Sequence, residues 1–93
     1  LDSFNRYANY LSVIPWMDEH LWRAQDELTK LGASAQIQPA GDFKNAGKDF
    51  KWGLNYSLMD DGLYRIDLDL YWQQGQRKAG LSRNAYAEYK KRE

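Results

Sequence analysis

Two kinds of hydrophobic spacing divide the chain. Over residues 1 to 31, apolar side chains recur at three- and four-residue steps, the period of an amphipathic helix. Leu1, Phe4, Ala8, Leu11 and Ile14 form one stripe with Tyr7 on the same face; Met17, Leu21, Ala24, Leu28 and Leu31 form a second. Asp2–Arg6, Glu19–Arg23 and Asp26–Lys30 set an acid four residues before a base. Each such pair supports a helix by roughly 0.2–0.5 kcal/mol. Gly32 is a natural stop. Pro15 falls between the two stripes, where it removes a backbone hydrogen bond and crowds the turn before it. At about 100° per residue the stripes lie a quarter-turn or more apart, so a kink or break is expected there. Trp16 and Trp22 lie off the second stripe, and at least one is expected to meet another element or another protein.

From residue 50 the period becomes two. Phe50, Trp52, Leu54, Tyr56 and Leu58 share one face of a strand; Tyr64, Ile66, Leu68, Leu70 and Trp72 share one face of the next. Between them Asp60-Asp61-Gly62 suits a three-residue hairpin with glycine in the left-handed position. Closing that turn at Met59 and Leu63 sets each apolar residue opposite another, from Leu58 with Tyr64 to Phe50 with Trp72. A slip of one residue would destroy the match. Gln73 to Gln76 is a second turn, after which Ala79 and Leu81 point inward on a third strand. Ala85, Ala87 and Tyr89 continue its parity, and Arg83 breaks it. Residues 32–49 show no period and predict a long loop, pinned by Ile37 and Phe43. The expected fold is α+β in one domain over 1–93: a kinked amphipathic helix (1–31), a loop (32–49), and a three-stranded antiparallel sheet (50–89) whose greasy face the helix covers.

Composition narrows the function. Thirteen basic and thirteen acidic residues cancel, which argues against a nucleic-acid partner. The C-terminal stretch from Arg77 is locally basic, with Tyr86 and Tyr89 among its charges, but carries no binding motif. With no cysteine and one histidine, thiolate zinc sites, disulfides and multi-histidine metal sites are excluded. His20 shares its helical face with Trp16 and Arg23 and not with Asp18 or Glu19, so no catalytic set forms around it. Asp67 and Asp69 share the polar face of the middle strand, near Asn55, Ser57 and Arg65. A solvated face tied to Arg65 and Lys51 accounts for them without a calcium site. No catalytic residue, metal site or cofactor is expected. Aromatics make up 15% of the chain, enough to thicken a thin core or to form a contact surface. The chain opens on Leu1 with a helical pattern already under way, which points to more of the same helix upstream.

Three segments carry a resemblance. Leu21-Trp22-Arg23-Ala24-Gln25-Asp26-Glu27-Leu28, Gly47-Lys48-Asp49-Phe50-Lys51-Trp52, and Tyr64 to Trp72 are similar in order and pattern to the minor pseudopilins of type II secretion, I class, within the type IV pilin-like family. The resemblance covers about two-thirds of the chain. It implies an assembly role and no enzyme activity. An upstream apolar helix would anchor the protein in the bacterial inner membrane, this part would lie in the periplasm, and the subunit would join other minor and major pseudopilins at a filament tip. Leu1, Phe4, Tyr7, Leu11, Ile14, Trp16 and Trp22 are then the expected partner interface. A minor type IV pilin, or a sugar- or peptide-binding module using exposed aromatics, are the alternatives.

Overall fold

The computed structural model describes residues 2–89, and within them the side chains of residues 12–60 and 62–89. A single helix, α1 (Asp2–Leu31), is followed by a 3-10 turn (Gly32–Ser34) and then by β1 (Ala40–Asn45), β2 (Lys48–Leu58), β3 (Leu63–Gln74) and β4 (Arg77–Glu88). The strands form one antiparallel sheet in the order β1-β2-β3-β4, each joined to the next by a hairpin.

Pro15 lies inside α1 and does not divide it. The stripe that the helix buries runs through the proline: Val13, Met17, Leu21, Ala24 and Leu28 all belong to the core. These positions step by four, four, three and four residues, so one side of one helix suffices. The expected break at Pro15 rested on a stripe ending at Ile14, but Val13 is the inward residue and Ile14 is only half-buried. Leu31, the expected end of the second stripe, is exposed. The helix ends where Gly32 turns left-handed at φ 55°. The ring of Tyr89 packs where a Cβ at Gly32 would stand, 2.8 Å from the nearest ring atom.

The sheet has four strands, not three, because part of the expected loop pairs. β1 runs antiparallel to β2 with Gly41 opposite Trp52 and Phe43 opposite Phe50. Gly41 leaves the space that the Trp52 indole fills; a Cβ there would come within 2.8 Å of the ring. The β1–β2 turn is Ala46-Gly47, with positive φ at both residues (52° and 76°), the requirement of a two-residue type I′ hairpin. The β2–β3 register is the expected one, from Phe50 opposite Trp72 to Leu58 opposite Tyr64. Met59 N–H donates to the Leu63 carbonyl to close the turn, and Gly62 has φ 78°. β4 continues to Glu88 with Ala79, Leu81, Ala85 and Ala87 toward the core. Arg83 keeps the inward parity without entering the core, since its guanidinium reaches Asp18 of α1 at 3.0 Å.

The core lies between α1 and the inward face of the sheet. Phe50, Trp52, Leu54, Tyr64, Ile66, Leu68, Leu70, Trp72 and Ala87 supply the sheet side. The helix lies chiefly over β3 and β4. Its course along the sheet is fixed by three contacts. Asn45 Nδ2 donates to Ser12 Oγ at 3.0 Å, beside the β1–β2 turn. Midway, Trp16 and His20 meet the rings of Phe43 and Trp52. At the other end, Gln25 Nε2 donates to the Tyr86 carbonyl at 2.9 Å. Since Asn45, Gln74 and Arg77 mark one end of the sheet, the ten positions Asp2–Leu11 continue the helix beyond that end. At 1.5 Å per residue this is about 15 Å of helix. The molecule measures 56 × 19 × 19 Å.

Candidate functional site

The two faces of the sheet offer different chemistry. Alternation sends Asp67 and Asp69 of β3 to the outer face with Arg65, while Ser82 and Asn84 of β4 stand beside them. Arg65 Nε meets Asp67 Oδ1 at 3.2 Å, and the Ser82 hydroxyl donates to Asp69 Oδ1. Both carboxylates thus have neighbours on their own sheet. The group is half-exposed and open to water. Among the described residues, no three His, Asp or Glu side chains converge as a metal-holding set.

Tyr71 is exposed on the outer face, with the Lys78 ammonium 4.7 Å over its ring. Tyr86 is exposed on the same face. The two sit opposite Gly80 and Arg65 respectively, six strand positions apart. At about 3.3 Å per residue, that is close to 20 Å, too far to hold one small sugar between two rings.

On the helix side, Trp16 and His20 are four residues apart and point at β1 and β2. Trp16 stacks on Phe43 (ring centroids 4.2 Å) and on His20 (4.8 Å), and His20 meets the edge of Trp52 at 4.3 Å. Phe43 stacks in turn on Phe50 at 5.2 Å. Trp16 therefore belongs to the contact between α1 and its own sheet. Burial among these rings, and then the nearby Arg23 charge, lowers the pKa of His20 below its ordinary 6.5. Its ring packs against aromatics, and Arg23 and Glu27 line the same shallow depression.

The expected partner residues scatter accordingly. Leu1 lies outside the described residues. Phe4, Tyr7 and Leu11 occupy the helical extension, and their side chains also lie outside them. Ile14 is half-buried and Trp16 packs inward. Trp22 is 62% exposed on the flank of α1, above a shallow depression lined by Gln25, Asp26, Thr29, Tyr86 and Glu88. Trp22 and Leu31 are the large apolar side chains that α1 leaves exposed among the described residues.

The far end of β2 is exposed. Tyr56 and Leu58 have the inward parity of Leu54, yet Leu54 is buried while they are 38% and 61% exposed. β1 pairs with β2 only as far as Gly53 and Leu54 N–H still reaches the Pro39 carbonyl, so from Asn55 onward no strand pairs with β2 on that side among the described residues. The alternation revealed these residues; where the helix and β1 stop covering them was not written in it. Comparison with family models, curated proteins and solved structures gave no match to this chain.

Proposed function

We propose that this chain is a non-catalytic assembly subunit, a minor pseudopilin of a type II secretion filament. The observation that carries the reading is the length of α1 relative to its sheet. Ser12 already stands at the sheet's turn end, and ten further helical positions run on past it. Along that stretch no strand lies beside the helix among the described residues. Phe4, Tyr7 and Leu11 give the extension an apolar stripe at helical spacing, which suits contact with helices of neighbouring subunits. Exposed Trp22 adds a second contact on the flank. The order of segments, helix then aromatic hairpin, agrees with the resemblance. In this role the domain lies in the periplasm, tethered to the inner membrane through an upstream apolar helix, and joins other minor and major pseudopilins at the filament tip.

The test replaces Phe4 and Tyr7 together by Ser. The thermal midpoint is expected to stay nearly unchanged, while co-purification with pseudopilins from the host membrane weakens. A large loss of stability with association intact would make the stripe ordinary core and remove the reading's support.

A further inference from the structure

The exposed end of β2 has a definite hydrogen-bonding pattern. Leu54 N–H donates to the Pro39 carbonyl at 2.8 Å, on the side away from β3. Backbone groups alternate sides along a strand, so those of Tyr56 and Leu58 face the same way. No strand lies there among the described residues, since β1 pairs with nothing past Gly53. Asn55, Tyr56, Ser57, Leu58 and Met59 are all exposed. This stretch carries no charge, no proline and no bulge, three of the usual guards against edge pairing. The opposite edge is guarded. On β4, Arg77 and Lys78 stand at one end, Arg83 sets a charge on the inward side, and Gln25 of the helix occupies the Tyr86 carbonyl.

We propose that the free edge of β2 pairs with the same edge of a second copy of this chain, antiparallel and centred on Ser57. The sequence is complementary to itself about that point. Tyr56 falls opposite Leu58 of the second copy and Leu58 opposite its Tyr56, so each outward-facing residue exchanges both backbone hydrogen bonds. Their side chains then pair on one face as aromatic against aliphatic, the favourable cross-strand combination. Asn55 falls opposite Met59. Centring one residue earlier, on Tyr56, would place Leu58 of the second copy against Leu54, whose amide Pro39 already holds. Centring one residue later, on Leu58, would set Tyr56 against Asp60, which belongs to the 3-10 turn Asp60–Gly62 rather than to the strand. The Asp60 carboxylates finish at opposite ends of the junction, and the zero net charge of the chain opposes the contact with no long-range repulsion. The result is a continuous sheet across a two-fold axis, with a self-complementary interface of the kind such an axis requires.

Ser57 faces its own copy at a non-hydrogen-bonded position, where Cα atoms approach to about 4.5 Å, within the range a disulfide spans. The chain has no cysteine, so Ser57→Cys introduces the only thiol. Asn84→Cys, exposed on β4, is the control. Under diamide, which oxidises two thiols to a disulfide, Ser57→Cys is expected to form covalent dimers about tenfold faster than the control, because pairing raises the effective thiol concentration. Adding Leu58→Lys to Ser57→Cys is expected to return the rate to the control's. Equal rates for the two single variants, or a Ser57→Cys rate that Leu58→Lys leaves unchanged, would overturn the proposal.

Discussion

His20 illustrates how a single side chain couples packing to solution conditions. It is held between the face of Trp16 and the edge of Trp52, with Arg23 close by on the same helix. Burial first, and Arg23 second, lower its pKa, so the folded protein binds that proton less readily than the unfolded chain does. The stabilisation that neutral His20 gives is present above its unfolded value near 6.5 and is lost as pH falls from there toward the lower folded value. Between about pH 7.5 and 5.5, the thermal midpoint is therefore expected to drop more for the native protein than for His20→Phe, which keeps a ring between the tryptophans and carries no titrating group. Parallel midpoint curves for the two proteins across that range would show that His20 does not contribute.

At the scale of the element, the β1–β2 hairpin is the place where sequence and structure part. The β2–β3 register was legible because ten apolar residues alternate in phase on either side of a turn containing glycine. β1 gives no such signal. Of its inward positions only Phe43 is a large apolar residue; Gly41 is inward because Trp52 fills the space, and Asn45 because it meets Ser12. The turn is also disguised, since Ala46 holds a left-handed conformation that asparagine or glycine usually supplies. Ala46→Asn is expected to raise stability by about 1 kcal/mol, the order of the cost of alanine in that conformation, seen as a higher denaturant midpoint at unchanged slope. In α1, the proline was legible but does not divide the helix. A stripe drawn through Ile14 implied two buried faces, whereas Val13 with Met17 keeps one buried face on both sides of Pro15. Of the expected contact residues, Trp16 shows the same limit: leaving the helix stripe told that it met something, and the unseen β1 supplied the something.

For the whole molecule the governing fact is elongation. Its radius of gyration is 15.3 Å, against about 12 Å for a compact domain of this length. Strands of twelve residues and a helix overhanging by ten account for the difference. Removing residues 1–11 is expected to shorten the long dimension seen by solution scattering by about 15 Å. The denaturant midpoint should barely move, with a stability change within about 0.5 kcal/mol; a collapse of stability would place the overhang in the core. The order of elements also has a consequence in time. The helix is made first, but the strands that supply its counterface, β3 and β4, are complete only at Gln74 and Glu88. At roughly 5–20 residues per second, a nascent chain carries a finished greasy helix for several seconds before any sheet exists to receive it. During that interval a chaperone or a bilayer surface competes for the stripe, whereas the hairpins themselves close within about 10 μs once their strands have emerged.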